Sequence, residues 1–336
     1  MTISTSSLDP SRRFFILSLQ RTTSNLLVRI LGLDQQPNVH WNYNGSCVFL
    51  QTRLLMRSLG LSNRPVTEWT AKEKSQVTES FQDSFNALEK YVTQGEAEGK
   101  VVFAKEHCNY IDDPSFDLNT KGFTVQLPDR YANTKSEVSV QNRTVLPNIF
   151  LRSWTPIFLI RHPVRLFPSL CRALLEVRKS QMSDVGLDYF LCDMQSQMSL
   201  VGTRRLFDWY ASDLLAKEHA SDPILLDSDD VINETGVTEQ LVRLVGLDLA
   251  KMKRSWTPAQ EAELAQASGS DKVFLETLMT SSGIQKSKAA GDVNIDEEAL
   301  RWRAEFGNTV GALVEQCVKE AMPDYNYLKS KRLLGM

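Results

Sequence analysis

Phe14-Phe15-Ile16-Leu17-Ser18-Leu19-Gln20-Arg21-Thr22-Thr23-Ser24-Asn25-Leu26-Leu27 is the stretch whose reading decides the fold. Phe14 to Leu19 is apolar except for Ser18 and reads as a buried strand. The next residues, Gln20 to Asn25, are an amide, an arginine, two threonines, a serine and an asparagine. Leu26, Leu27, Ile30 and Leu31 then recur at helical spacing, and Gly32 suits a helix C-terminus. A strand that runs into the start of a helix gathers free backbone N–H groups and the positive end of the helix dipole in one place. The stretch therefore predicts a cradle for a phosphate or sulfate group. Arg21 adds a fixed charge, and Thr22, Thr23, Ser24 and Asn25 add short donors.

Bulk properties narrow the partners. With 336 residues, 42% of them hydrophobic and 24% charged, the chain has material for a sizeable core. A net charge of −3 argues against a general nucleic-acid binder, which depends on many Lys and Arg. Cys47, Cys108, Cys171, Cys192 and Cys317 form no C-x-x-C pair, so they read as reduced thiols of a cytoplasmic protein and not as a metal framework. No apolar run reaches the length of a membrane span, and residues 1–12 are polar with no apolar signal core. The expected organisation is a flexible N-terminus over 1–12 and a single α/β domain over 13–330.

Further along, the periodicity places alternating strands and helices. Residues 37–45 (with Trp41 and Tyr43) read as an aromatic loop and 46–59 as a helix. Residues 68–94 are amphipathic, with Val77, Phe81, Phe85, Leu88 and Val92 on one face. Val101–Ala104 is a short strand that meets Lys105-Glu106-His107-Cys108. Residues 112–150, with Pro114, Pro128 and Pro147, read as a long loop or lid. Pro156–Ile160 is a third strand, ending at Arg161-His162-Pro163, with Pro163 as the first residue of a helix. Residues 188–217 are read as helical. Pro223–Leu226 is a fourth strand, with Asp229 and Asp230 capping the helix after them. Residues 237–245 form a short helix closed by Gly246. Residues 268–294 read as a second mobile segment, and 296–322 as the last helix, stopped by Pro323. The pattern favours a three-layer α/β/α fold around a small, mostly parallel sheet.

Three strands thus end in polar residues able to serve one site: Arg21 to Asn25, then Lys105 with His107, then Arg161 with Ser169 eight residues on. Open parallel sheets bind ligands at such carboxyl ends. The first cluster lacks the Gly-Lys-Ser/Thr of a Walker A loop, which disfavours a magnesium-dependent kinase or NTPase.

In order and placement the three clusters resemble those of the sulfotransferases that use 3′-phosphoadenosine-5′-phosphosulfate (PAPS), over about residues 13–245. Gln20-Arg21-Thr22-Thr23-Ser24-Asn25 is similar to that family's strand–loop–helix Pro-Arg/Lys-Ser-Gly-Ser/Thr-Thr, which holds the 5′-phosphosulfate. Arg161 and Ser169 resemble its Arg and Ser that grip the 3′-phosphate, and Lys105-Glu106-His107 its Lys-x-His with a catalytic His. There are departures. Gln20 stands for the usual Pro, Thr23 for the Gly and Asn25 for the second Thr. A Cβ at position 23 crowds the loop if it needs a positive φ. The family's C-terminal Arg-Lys-Gly is absent, with Lys286, Lys288 and Gly291-Asp292 as a loose echo.

The resemblance implies a P-loop-like nucleotide-binding fold and transfer of the sulfuryl group of PAPS to a hydroxyl of a small-molecule acceptor, without a metal. Arg21, Thr22, Thr23, Ser24, Asn25, Arg161 and Ser169 are then the PAPS-binding residues, and Lys105 and His107 the catalytic ones. Nucleic acid and membrane are not expected as partners, and a homodimer stays open. Two alternatives remain at this point: the magnesium-dependent kinase or NTPase, and a nucleotide-binding member of the fold that has lost transfer. Aromatic residues in 40–50, 110–150 and 188–210 mark where an acceptor pocket is expected.

Overall fold

The computed structural model describes residues 12–116, 122–132, 142–181, 186–212, 222–259 and 269–335. Residues 1–11 of the expected flexible N-terminus lie outside the described residues. So do 117–121 and 133–141 of the first expected lid, 213–217 of the expected helix 188–217, and 268 of the second mobile segment.

In chain order the principal elements are β1 (Arg13–Ser18), α1 (Ser24–Leu31), β2 (Val39–His40), α2 (Leu50–Ser58), α3 (Ala71–Ala97), β3 (Val101–His107), α4 (Cys108–Ile111), α5 (Asn148–Arg152), β4 (Thr155–Ile160), α6 (Pro163–Gln181), α7 (Leu187–Gln197), α8 (Val201–Ser212), β5 (Ile224–Asp227), α9 (Ser228–Asn233), α10 (Thr235–Leu244), α11 (Gly269–Thr280), α12 (Ile295–Phe306) and α13 (Asn308–Lys329). The five strands form one parallel sheet in the order β2-β3-β1-β4-β5. Parallel neighbours need long crossovers, which the intervening helices supply. This is the expected α/β class with a small parallel sheet. The β1/β3 register sets Phe14 beside Phe103 and Ser18 beside His107.

Several elements depart from the sequence reading, each for a physical reason. Two-residue β2 lies in the stretch read as an aromatic loop, and two residues carry no period to detect; only pairing with β3 reveals it. Helix α2 starts at Leu50 and not at 46, because the Cys47 N–H is taken by the Lys105 carbonyl at 2.8 Å and Cys47 sits at φ 54°. The expected helix over 188–217 is two helices, α7 and α8, and Val201, where α8 begins, is exposed. The expected last helix is also two, split at Gly307 (φ 81°). Pro323 does not stop α13. An interior proline costs about 3 kcal/mol, but Ala321, Tyr325 and Leu328 on either side of it are buried and hold the helix together.

The described residues group into two compact units. The first comprises Met1–Ser18, Pro37–Phe158 and Gly202–Ile224, and the second Leu19–Gln36, Leu159–Val201 and Leu225–Met336. In the first, Phe14 stacks on Phe103 with ring centroids 4.9 Å apart, Phe15 packs on Trp154, and Phe85 meets Phe150 edge-on. The expected apolar stripe of α3, from Val77 to Val92, is buried, and α3 opens with a capping box between Thr70 and Glu73. Arg13 is 1% exposed at the start of β1. Its guanidinium donates to Ser153 Oγ at 2.9 Å and Tyr131 Oη at 3.1 Å, and pairs with Glu96.

In the second unit, Leu27, Ile30, Leu31, Leu166, Phe167, Leu170, Trp302 and Val314 are buried. Tyr325 donates to Asp227 Oδ2 at 2.7 Å, and the Leu333 N–H reaches the Leu225 carbonyl at 2.7 Å. The end of the chain is thereby tied to β5. Of the stretch 268–294, the described residues carry α11 and a 3₁₀ turn, Lys286–Lys288.

Replacing Arg13 by Met should cost about 3 kcal/mol in urea denaturation. That is the low end for removing one partner of a buried ion pair, because Glu96 keeps 34% of its side chain in water. A loss under about 1 kcal/mol would show that the Arg13 network is incidental.

Candidate active site

The loop between β1 and α1 belongs to the second unit and is backbone-strained. Arg21 has φ 66° and Thr23 φ 64°, a left-handed region that a β-branched residue avoids. The difficulty expected of a Cβ at position 23 is therefore present: the loop takes the glycine-type conformation with a threonine. Local bonds hold it there. Thr22 Oγ1 donates to the Leu19 carbonyl at 2.6 Å, Thr23 Oγ1 lies 2.9 Å from Ser228 Oγ, and Ser228 Oγ donates to the Thr22 carbonyl at 2.7 Å. Thr22 is fully buried, so its hydroxyl props the loop. Ser24 and Asn25 open α1, whose first turn carries no acidic residue at its positive end, while Arg29 in the last turn suits the negative end of the dipole.

Arg21, Arg161 and Ser169 come together at this loop. Arg161, the first residue after β4, donates through Nη1 to the Arg21 carbonyl at 2.8 Å and through Nη2 to the Lys288 carbonyl at 2.9 Å. Arg21 Nε donates to Ser169 Oγ at 3.0 Å, and its Nη1 to the Phe274 carbonyl at 2.7 Å. The eight-residue spacing thus places Arg161 on the loop backbone and Ser169, one side of α6, on the loop arginine. Asp229 accepts from the Ala290 N–H at 3.0 Å, pinning the segment that contains Lys288. The expected capping by Asp229 and Asp230 is made instead by Asp227, which accepts from the Asp229 N–H, while Asp230 pairs with Arg332 at 2.7 Å. Arg172 is exposed and pairs with Glu305, whereas Arg165 is half-buried and lies 3.9 Å from the buried Glu298.

The electrostatics of this cluster are unbalanced. Burial, then the charge of Arg21, lowers the Arg161 guanidinium to about 10. Burial and the nearby Arg172 also lower Arg21. Arg161 Nε is buried with no hydrogen-bond partner among the described residues.

Lys105 and His107 belong to the first unit. Strand alternation puts both on one face of β3 and Glu106 on the other. Lys105 Nζ donates to Cys47 Sγ at 3.2 Å. His107 Nδ1 lies 3.2 Å from Ser18 Oγ, and its ring meets Tyr110 edge-on at 5.2 Å. Glu106 accepts from the Phe49 N–H at 3.0 Å and the His107 N–H at 2.7 Å. It thereby fixes the backbone under the histidine. Burial, then the Lys105 ammonium, pushes the His107 imidazole down to about 3, while burial raises the Glu106 carboxyl. His107 is held as a neutral ring. Ser18, Glu106 and Cys47 were not singled out from sequence. Ser18 did leave a signal, as the one polar residue in the apolar run of β1.

With this geometry in hand, likeness to known proteins gives the family. The chain is 34% identical over 332 residues to Sulfotransferase ppzF of Metarhizium rileyi (strain RCEF 4871), covering 96% of each protein. It is 32% identical over 338 residues, again 96% of each, to Sulfotransferase ppzF of Metarhizium majus (strain ARSEF 297). The chain belongs to the sulfotransferase family. No family model matches it. Among solved structures, the sulfotransferase domain of the Synechococcus PCC 7002 olefin synthase aligns at 14% identity and a TM-score of 0.36, over 90% of this chain and 97% of that one. The sulfotransferase domain from the curacin biosynthetic pathway aligns at 14% and 0.31, over 87% and 96%. Scores this low carry no weight for the assignment. Among the described residues, no helix is long and apolar enough to cross a membrane.

An NMR titration should find the His107 ring neutral at pH 5, where an ordinary histidine of pKa about 6.5 is mostly charged. Its folded value lies below the unfolded one, so His107 lends stability that is lost as pH falls from about 6.5 toward about 3. A midpoint near 6.5 for this ring would contradict the burial argument.

Proposed function

We propose that this chain moves the sulfuryl group of PAPS to a hydroxyl of a small-molecule acceptor by in-line displacement, with His107 as the base. The observation that carries the reading is the convergence of Arg21, Arg161 and Ser169 on the β1–α1 loop, where Arg161 is buried, Arg21 is half-buried, and burial and like charge disfavour both guanidiniums. Such a pair suits an anionic ligand, which relieves both. PAPS supplies the activated sulfuryl group and, through its phosphates, the negative charge this cluster calls for.

In this reading the backbone N–H groups at the start of α1, with Arg21 and the polar residues Thr22, Thr23, Ser24 and Asn25, hold the 5′ end of the donor. Arg161 and Ser169 hold its 3′-phosphate. Lys105 neutralises charge on the group in transit. His107, kept neutral by burial and fixed by Ser18, receives the proton of the acceptor hydroxyl. Family membership supports sulfuryl transfer over the magnesium-dependent phosphoryl chemistry left open by the loop.

In a thermal-shift assay 3′,5′-ADP should raise the melting temperature more than ADP or ATP with Mg²⁺. At a hundredfold excess over its Kd it stabilises by about 2.7 kcal/mol. A larger shift with ATP and Mg²⁺, and none with 3′,5′-ADP, would overturn the reading. His107→Ala should lower sulfuryl transfer by at least about 10²-fold, the usual worth of a general base, with 3′,5′-ADP binding intact. Full activity in that variant removes His107 as the base, and binding of 3′,5′-ADP without turnover in the unmodified protein over a broad acceptor panel favours the inactive-member alternative.

A further inference from the structure

Gln20 opens the anion loop with a buried side-chain amide. It is 3% exposed, and neither Nε2 nor Oε1 has a hydrogen-bond partner among the described residues. Its neighbours are committed. Thr22 donates to Leu19, Thr23 meets Ser228, Arg21 donates to Ser169 and Phe274, and the Arg21 carbonyl accepts from Arg161. A buried primary amide with both ends unpaired forfeits its hydration and gains nothing in return, so a native structure that keeps one has a use for it. Packing does not supply that use, since an apolar side chain of the same length fills the same volume without the desolvation cost.

The chemistry of the side chain indicates what it is for. Glutamine adds a donor without adding charge to a cluster that already holds two mutually repelling guanidiniums. Proline, which stands at this place in the loops this one resembles, offers no donor at all. Position matters too. Gln20 lies two residues along the chain from Ser18, whose hydroxyl meets the His107 ring, so it stands at the strand end of the loop. Arg161 and Ser169 act on Arg21, the next residue on.

We propose that Gln20 is a binding residue for the group that moves: Nε2–H donates to a sulfuryl oxygen of the bound sulfate donor. The inference rests on the reading that the loop over residues 20–25 holds the 5′ end of PAPS. It goes beyond that reading by separating recognition of the sulfuryl group from recognition of the nucleotide, and by assigning the former to a donor in the place where the resembling loops have none.

The test compares PAPS, which has the sulfuryl group, with 3′,5′-ADP, which lacks it. Both are titrated calorimetrically, without acceptor, into the unmodified protein and into Gln20→Leu and Gln20→Met. Both substitutions keep the approximate volume and remove the amide, so a folded protein is expected, and either variant alone suffices for the comparison. The expected result is a Kd for 3′,5′-ADP unchanged within about twofold and a Kd for PAPS raised about tenfold or more, the worth of one hydrogen bond to a charged group. Equal weakening of both ligands would make Gln20 a structural residue of the loop and overturn the proposal, as would unchanged binding of both. If the unmodified protein binds neither ligand, the PAPS reading itself fails and takes this one with it. That outcome is distinct, because it appears before any substitution is made.

Discussion

The guanidinium of Arg161 commits both of its Nη groups to main-chain carbonyls, one at Arg21 and one at Lys288. The arrangement of the second unit around the β1–α1 loop depends on this double contact. It ties the residue after β4 to the turn after β1 and to the 3₁₀ segment far along the chain, while Asp229 anchors the same segment from the residue after Ser228. Arg21 in turn leans on Ser169 and on the Phe274 carbonyl. The result gathers two guanidiniums, Arg161 buried and Arg21 half-buried, with Asp229 and Asp227 facing the first and Glu276 the second.

The loop stores strain as well as charge. Arg21 and Thr23 both sit at positive φ, which costs about 1–3 kcal/mol per residue for side chains that carry a Cβ. The hydroxyl bonds of Thr22, Thr23 and Ser228 over-determine the turn and so allow a threonine where glycine is sterically easier. Ser228 has a double duty here: it opens α9 and touches both loop threonines. This explains why the residue beside Asp227, and not the following acids, matters to the loop.

In the first unit the constraint is strand alternation. Because residues 105 and 107 share a face and 106 takes the other, a lysine and a histidine are presented together while a glutamate is turned inward to bind the backbone of Phe49 and of His107 itself. The same desolvation that raises the Glu106 carboxyl keeps the His107 imidazole uncharged.

The sequence by itself was enough for the buried strand of β1, the polar turn into α1, the amphipathic stripe of α3, the Lys-x-His at the end of β3 and the spacing between Arg161 and Ser169. These are local patterns: a period, a run of one polarity, or a fixed number of residues between two side chains. Tertiary structure alone decided the rest. The two-residue β2 exists because β3 pairs with it, and α13 runs through Pro323 because its neighbours are buried. Thr23 adopts a left-handed backbone because Ser228, 205 positions away, helps hold it there. Gln20 reads in the sequence as an amide standing where the resembling loops have proline. Only burial, with its neighbours' hydrogen bonds already made, turns it into an amide without a partner, because desolvation is a property of the folded surroundings and leaves no trace in the order of residues.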